Sequence, residues 1–411
     1  MMTHDPQKTI EDLRNHLTQH DTRIAFLFGA GTSSAVRVPV AGTSKDKALI
    51  PAVLELTALC AESVKKLDVA ADAAQHTFTT AWGLLAKEAK PSTREVNIED
   101  ILTLVRRKLD GIGDDKLVGL SKSELTSVDS TIRKTIAQAV DIGSDDFPPG
   151  LPHYELGRWI ARIPRKHPVE IFTTNYDLVI EHALETEWVP LFDGFVGCYQ
   201  PFFNHDSLYR SEAAPASRWA RLWKIHGSIN WTRIKVGDHK RFVRGRPTHT
   251  GELILPSHYK YDESRKQPYA AFLERLGRVL AYDDAILITV GYSFGDEHIN
   301  AVIFDALQVK PRPHVFSLHH SDPDEKHIIV DTAKSRLNLF VLGPRRAVIT
   351  GVLGEWRLTS AVDNRTAPFM DVAFDSDALD PASGVAESLT GRFRLGDFNY
   401  FCRFLQSMFT A

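Results

Sequence analysis

Asn175 and His226 are the residues whose type and setting best suit catalysis. Asn175 lies in TTNYD (residues 173–177), directly after the apolar run VEIF, and its amide can hold a substrate hydroxyl or a water. Asp177 can orient that amide or meet a sugar-type hydroxyl. His226 lies in KIHGS (residues 224–228), where an imidazole can take a proton near neutral pH. Simpler roles also fit, because Asn175 and Asp177 can cap a following helix and the chain contains 17 histidines.

A glycine-rich turn, GAGTSS (residues 29–34), follows the apolar run IAFLF. Gly29 and Gly31 permit a tight turn and close approach to a pyrophosphate, and Ala30 lies between them. Free backbone N–H groups and the hydroxyls of Thr32 and Ser33 can bond phosphate oxygens. The turn is not G-x-G-x-x-G, because serine occupies its sixth position, and it lacks the P-loop lysine. Alone, it fits an ordinary strand-to-helix turn equally well.

A fourth segment, GYSFGDEHIN (residues 291–300), follows the apolar run AILITV. Backbone amides near Gly291, together with Ser293, can line the adenosine half of a dinucleotide. Asp296 can contribute to the same site or simply cap the next helix. His298 and Asn300 can simply face a helix surface.

The elements around these motifs alternate between strand and helix patterns. This alternation predicts an α/β protein with a doubly wound, mostly parallel sheet, and ligands of such sheets bind at the carboxyl ends of the strands. Residues from about 50 to about 150 are mainly helical in pattern and predict a helical insertion. We divide the chain into a nucleotide-binding catalytic domain, residues 1–345, and a C-terminal extension, residues 346–411. The aromatic end of that extension can pack on the core or contact a subunit or partner.

Composition narrows the function classes. With a formal net charge of -3, the protein has no overall positive potential that would attract nucleic acid or an anionic membrane. Contact with nucleic acid is therefore expected only through a partner. The polar N-terminus lacks the apolar core of a signal peptide, which predicts a cytoplasmic protein. Cys60, Cys198 and Cys402 are too few for a four-cysteine zinc site, so no metal is expected. All three are expected to be small buried side chains.

In this order, the four motifs resemble those of sirtuins, and more narrowly the sirtuin-like enzymes of bacterial anti-phage defence that degrade NAD. The resemblance covers roughly residues 23–342, interrupted by the helical segment. It implies a sirtuin-like variant of the Rossmann fold with NAD as substrate. The residues that it implies for binding and cleavage are Gly29, Gly31, Thr32, Ser33, Asn175, Asp177, His226 and Ser293.

This sequence departs from the deacylating sirtuins on the side that binds the acyl peptide. No cysteine occurs between His226 and Gly291, so their zinc module is absent. Residue 174 is Thr where deacylases have Gln, and the loop after GAGTSS lacks the D-F-R that usually follows Pro39. We therefore expect an NAD glycohydrolase that releases nicotinamide and ADP-ribose, with water as the acceptor.

Uncontrolled NAD cleavage would be toxic, so the activity must be regulated. This predicts a homo-oligomer and a partner that activates the enzyme. Some similar defence proteins act with a hexameric HerA-type ATPase, the leading expectation for that partner. Alternatives are a non-catalytic NAD or ADP-ribose sensor, a protein-lysine deacylase and a nuclease component. The nuclease would need a carboxylate cluster for its metal. A dehydrogenase is disfavoured because the dinucleotide fingerprint is incomplete.

Overall fold

The computed structural model of the chain describes residues 2–40, 42, 44–70, 77–90, 95–210, 213–237, 239–247, 267–309, 314–359, 368–376 and 390–409. The described helices are α1 Pro6–Thr18, α2 Ala30–Ser34, α3 Val53–Ala70, α4 Thr77–Ala89, α5 Ile98–Gly111, α6 Lys122–Val140, α7 His153–Arg162, α8 Val179–Thr186, α9 Asp206–Tyr209, α10 Tyr269–Leu280, α11 Glu297–Val309, α12 Ile328–Ser335, α13 Pro368–Ala373 and α14 Phe398–Ser407.

The described strands are β1 Thr3–His4, β2 Arg23–Phe28, β3 Arg37–Pro39, β4 Asp46–Ala48, β5 Glu170–Thr173, β6 Leu191–Phe192, β7 Phe195–Val196, β8 Phe202–Phe203, β9 Ala220–Lys224, β10 Trp231–Val236, β11 His239–Arg244, β12 Ala285–Val290, β13 His314–Leu318, β14 Leu339–Leu342, β15 Arg346–Ile349, β16 Val352–Trp356, β17 Phe374–Asp375 and β18 Arg392–Phe393.

The main sheet has ten strands in the order β1-β16-β15-β14-β13-β12-β2-β5-β9-β6. The pairs from β14 through β13, β12, β2, β5 and β9 to β6 are all parallel, whereas β15 is antiparallel to both of its neighbours. This topology confirms the predicted α/β class and the doubly wound, mostly parallel, Rossmann-like sheet.

Strand β2 shows why the sheet is covered on both faces. Its side chains alternate between two separate apolar cores, as the two-residue period of a strand requires. Phe26 and Phe28 pack into the core that contains α1, α7 and α14. Ala25 and Leu27 pack into the core formed with α10, α11 and α12. A strand buried on both faces reads as a continuous apolar run, as IAFLF does.

Helices α3 to α6 lie within the segment whose pattern is helical, and they form a third core of their own. Two of them begin with reciprocal capping boxes, Asn97 with Asp100 and Ser121 with Glu124. Val179 of α8 belongs to the same core, so the helical segment rests directly on the chain that follows β5.

Strands β15 and β16 continue the main sheet beyond residue 345, and β1 pairs with β16. The predicted boundary at residue 345 therefore falls between two strands of one sheet. Helix α14 packs its aromatic face inward, with Phe398 against Phe28 and Phe401 against Phe26 at centroid distances of 5.3 and 5.9 Å. Its apolar face is thus occupied by the core.

A small antiparallel sheet, β10-β11-β8-β7, was not predicted; β7 and β8 precede β9 in sequence, and β10 and β11 follow it. Within the described part of the chain, no helix combines the length and the apolar character needed to cross a membrane.

Candidate active site

Strands β12, β2, β5 and β9 are consecutive neighbours in the sheet and run parallel. Their carboxyl ends therefore lie along one edge, and each is followed by one of the four motifs. The structure brings the glycine loop, Asn175, His226 and the turn after Val290 together at this edge, which we call the motif edge. The candidate site is assembled from segments distant in sequence.

The glycines of the first and last motifs lie backbone against backbone. Gly29 N and Gly31 N donate to the carbonyls of Val290 and Gly291, each at 3.1 Å. A Cβ on Gly31 would lie 2.6 Å from Gly291 Cα, and one on Gly291, whose φ is 65°, would lie 2.6 Å from Thr32 N. These glycines are required because two loops share space that no side chain can enter.

The hydroxyls of Thr32 and Ser33 are hydrogen-bonded to other groups of the motif edge. Both residues are buried, and Thr32 Oγ1 donates to the Gly29 carbonyl at 2.9 Å. The Ser33 hydroxyl accepts from Asn175 and hydrogen-bonds to the carboxylate of Asp177. Because buried polar groups need partners, these hydroxyls hold the loop together in this structure. Ala30 is exposed at the start of α2.

Asn175 fastens the loop to β5. Its Nδ2 group lies 3.2 Å from Gly29 O, 3.2 Å from Thr32 Oγ1 and 2.9 Å from Ser33 Oγ. A carbonyl only accepts, so the contact with Gly29 O fixes which end of the amide faces the loop. Asn175 therefore sets the shape of the glycine loop in this structure.

Asp177 accepts a hydrogen bond from the first residue of α8, close to the capping role considered for it, and also contacts the loop. Its carboxylate accepts from Val179 N at 3.1 Å and from the Ser33 hydroxyl. Burial raises the pKa of Asp177, although the charge of Lys224 and these hydrogen bonds oppose the rise.

Lys224 is a residue whose role the sequence reasoning missed. Only 1% of this lysine is exposed, and its Nζ donates to the carbonyls of Tyr176 and Asp177 and, at 2.8 Å, to Glu181 Oε1. It thereby ties the end of β9 to the chain between Asn175 and α8. The signal was a lysine directly after Leu222 and Trp223 in the strand ARLWK, because a buried charge needs a specific partner.

His226 forms a buried pair with Asp296. Its Nε2 lies 2.9 Å from Asp296 Oδ2, and only 7% of the histidine and 6% of the aspartate are exposed. Asp296 also caps α11, because its Oδ1 accepts from His298 N and Ile299 N. A carboxylate only accepts, so Nε2 carries the proton, and in the neutral imidazole Nδ1 is the basic nitrogen. In this arrangement the Asp296 carboxylate orients the imidazole of His226 so that it can act as a general base.

The turn that carries Asp296 is braced from inside. Asn300 is buried, and its Nδ2 donates to Phe294 O at 2.7 Å, while Tyr292 Oη donates to Asn300 Oδ1 at 3.0 Å. Asn300 thus shapes the turn instead of facing an outer helix surface. Phe294 has a φ of 55°, a conformation that costs energy and that this network maintains. Ser293 is exposed on the outside of the turn.

The helical segment approaches the histidine side of the motif edge through Tyr176. The ring of Tyr176 lies 6.4 Å from that of His226 and packs against the core of α3 to α6. Burial raises the pKa of Tyr176, and the negative charge of Glu99 on α5 acts in the same direction. Tyr176 therefore has neighbours in both the sheet and the helical segment.

The cysteines lie apart from the motif edge, and one differs from expectation. Cys60 and Cys402 are buried, and burial raises the pKa of the Cys60 thiol to about 12. Cys198 is exposed, because it follows Gly197 in the turn between β7 and β8, so the expectation of a buried side chain is wrong there. Among the described residues, no group of three His, Cys, Asp or Glu side chains is arranged to hold a metal.

Comparison with known families gives a match to part of the chain. Residues 169–338 match the SIR2-like domain. The match begins at β5 and includes the TTNYD, KIHGS and GYSFGD motifs, but not the glycine loop. It supports a sirtuin-like family and implies NAD binding and NAD-related activity, because SIR2-like domains are typically NAD-dependent enzymes. No curated protein matches the chain.

Proposed function

We propose that this protein is an NAD glycohydrolase that cleaves NAD to nicotinamide and ADP-ribose. The observation that carries the proposal is the buried His226–Asp296 pair, which lies at the same sheet edge as Asn175 and the glycine loop. A base oriented by a carboxylate suits a reaction in which water or a ribose hydroxyl loses a proton.

The chemistry makes modest demands on the protein. Nicotinamide leaves as a neutral molecule when its bond to C1′ of the ribose breaks, and the ribose becomes cation-like. Water then forms a bond to C1′ and loses one proton, which His226 Nδ1 accepts directly or through a ribose hydroxyl. The site must chiefly position the ribose and the water.

Some residues of the motif edge are proposed to contact NAD, and others to hold those residues in position. We propose that the outer side of the glycine loop, from Gly29 to Ser33, carries the pyrophosphate and that Ser293 faces the adenosine half. Asn175 maintains the loop through the hydrogen bonds described above, and its amide oxygen serves the nicotinamide ribose or the water. Asp177 and Lys224 act behind it as positioning residues.

The test follows NAD loss and nicotinamide release for the parent and His226→Ala. We expect the rate to fall by about 10²- to 10⁴-fold, because one general base contributes on that order. His239→Ala on β11 is the matched control, since that histidine is exposed and lies outside the motif edge. Equal rates for parent and His226→Ala would show that the assignment is wrong.

The competing functions give different results in the same experiment. A non-catalytic sensor would bind NAD or ADP-ribose tightly without releasing nicotinamide. A lysine deacylase would require an acetyl-lysine peptide for NAD consumption.

We further propose that the enzyme acts in anti-phage defence by depleting NAD and that assembly controls it, with a HerA-type ATPase as the partner. Assembly is supported by a set of exposed apolar side chains on the helical segment, Leu54 and Leu59 of α3 and Leu84 of α4, which are 52, 44 and 45% exposed. Such side chains suit a contact surface. Replacing Leu54 and Leu84 by Glu should reduce the assembled mass in light scattering, whereas Leu337→Glu should not.

A further inference from the structure

A second candidate site lies at the opposite edge of the sheet. A cavity of about 370 Å³ is lined by residues at the amino-terminal starts of the central strands, including Arg23 of β2, Glu170 of β5 and Arg221 of β9. The register places Glu170 beside Arg221, and Arg23 beside Ala285. Strands of this length separate the two edges by roughly 10–20 Å.

The lining of this cavity is strongly basic. It contains four arginines, Arg23, Arg210, Arg221 and Arg275, and Glu170 is the only carboxylate among its described lining residues. Arg210 is mainly solvent-exposed, whereas the side chains of Arg221 and Arg275 are 13 and 17% exposed. Partly buried guanidinium groups in this excess create a positive potential inside the cavity.

Glu170 does not neutralise these arginines equally. Arg275 binds it with both branches of its guanidinium group, through Nε to Oε2 at 2.9 Å and through Nη2 to Oε1. Trp223 Nε1 donates to Oε2 at 2.7 Å. Arg221 Nη1 is 3.6 Å from Oε1, beyond hydrogen-bond distance. The carboxylate is thus committed to Arg275 and Trp223.

Two of the arginines keep unsatisfied donors. Arg221 Nε and Arg23 Nη1 are buried, and neither has a hydrogen-bond partner among the described residues. Arg23 Nε lies 3.6 Å from Asp284, whose side chain is 48% exposed, so solvent screens that pair. Buried donors without partners are costly, and a planar guanidinium group matches phosphate oxygens in charge and geometry.

The remaining lining suits the organic part of a small molecule. Tyr209, Tyr282, Leu208 and Val279 contribute aromatic and apolar surface. The Arg23 guanidinium lies 3.9 Å from the centroid of the Tyr282 ring, so the charged and aromatic parts are adjacent. The volume lies within the range of small-molecule sites, roughly 300–1,000 Å³.

We propose that this cavity binds a phosphate-bearing small molecule, with the phosphate between Arg23 and Arg221 and any organic part against Tyr209 and Tyr282. The site is independent of the proposed NAD-cleaving site, because it uses the other ends of the same strands. A nucleoside diphosphate and free pyrophosphate share the required chemistry.

The test is isothermal titration calorimetry with two probes, pyrophosphate and ADP. The parent is compared with the Arg23→Gln/Arg221→Gln double variant, and Arg107→Gln, an exposed arginine on α5, is the matched control. We expect the double variant to weaken binding at this site by about tenfold or more, since charged hydrogen bonds are lost, and the control to bind like the parent. A much higher affinity for ADP identifies a nucleotide, and similar affinities identify the phosphate group alone.

Two outcomes overturn the proposal: equal affinities for parent and double variant, or no binding of either probe to the parent. Thermal unfolding checks that the double variant is folded, and Arg221→Lys, which keeps the charge but loses the planar fork, serves if it is not. ADP that binds at the motif edge would give a binding heat of its own, and that heat should be the same in the parent and in the double variant. Nicotinamide release is measured separately with His226→Ala, so failure of the NAD-cleaving assignment is distinguishable from failure of this one.

Discussion

Asp296 holds His226 with one carboxylate oxygen and caps helix α11 with the other. A single side chain therefore joins the orientation of the proposed base to the start of a helix. The tautomer of the histidine depends on the carboxylate, whereas the cap needs only an acceptor. The two roles can be separated by substitution.

Asp296→Asn should preserve the cap and impair catalysis. The amide oxygen can still accept from the backbone of α11, but the amide NH₂ faces Nε2 and favours the tautomer protonated on Nδ1. We expect NAD cleavage to fall by about 10²- to 10⁴-fold, with little change in melting temperature. Asp5→Asn, at the N-cap of α1, is the control. Parent-like turnover in Asp296→Asn would remove the carboxylate from the mechanism.

Gly291→Ala should destabilise the protein and reduce NAD cleavage. The new Cβ would lie 2.6 Å from Thr32 N, at a φ of 65° that alanine rarely adopts. Overpacking of this kind costs about 1–3 kcal/mol, and the strained φ adds to it. Gly83→Ala on α4 has no atom within 4 Å of its Cβ and should stabilise by about 0.5–1 kcal/mol. Urea unfolding of both variants measures the difference, and a neutral Gly291→Ala would contradict the close packing of the loops.

Lys224→Met should destabilise the protein far more than Lys65→Met, the same substitution at a surface lysine. It leaves Glu181 and two backbone carbonyls buried without their cation, a change of about 3–5 kcal/mol in the free energy of unfolding. Lys65→Met breaks an exposed pair with Glu62 and should leave stability unchanged within error. Adding Glu181→Leu to Lys224→Met should recover part of the loss in urea unfolding; no recovery would argue against the buried pair.

Stability should fall with acid because of His153. This histidine is 1% exposed, neither ring nitrogen has a partner among the described residues, and burial lowers its pKa to about 3. Its folded pKa lies below the unfolded value of about 6.5, so the unfolded state binds the proton first. The stability that depends on a neutral His153 is fully present above pH 6.5 and is lost as pH falls towards 3. Between pH 7 and 5 the free energy of unfolding should fall by about 2 kcal/mol.

His153→Leu provides the corresponding test. The variant removes two unsatisfied nitrogens, so it should be more stable than the parent at pH 7 and should lose less stability between pH 7 and 5. Melting temperatures across this range measure both effects. An unchanged slope would mean that other groups control the acid response.

The central fold was predictable because strands such as β2 and β12 are apolar runs, IAFLF and AILITV, that end at a small or polar turn. The hairpin of β10 and β11 was not predicted, although TRIKV and HKRFV flank Gly237, whose φ is 61°. Strands β15 and β16 were also missed. Their residues extend a sheet edge, where alternation with helices no longer applies.

The residues gathered at the motif edge were predictable, but their partners were not. Asp296 and His226 are 70 positions apart, and no local pattern reveals that they meet. Nor could spacing show that the Asn175 amide faces the glycine loop or that Lys224 is buried beneath it. These facts depend on strand order, which places distant turns side by side.

The aromatic contacts between β2 and α14 have a consequence for the timing of synthesis. Phe26 and Phe28 leave the ribosome well before Phe398 and Phe401, which cover them and lie about 370 positions later in the sequence. Asn399, whose Nδ2 donates to Ala35 O at the end of the glycine-loop helix, is equally late. In a nascent chain the glycine loop therefore lacks these supporting contacts until α14 has been synthesised. The loop reaches its final packing only after α14 has folded onto the sheet.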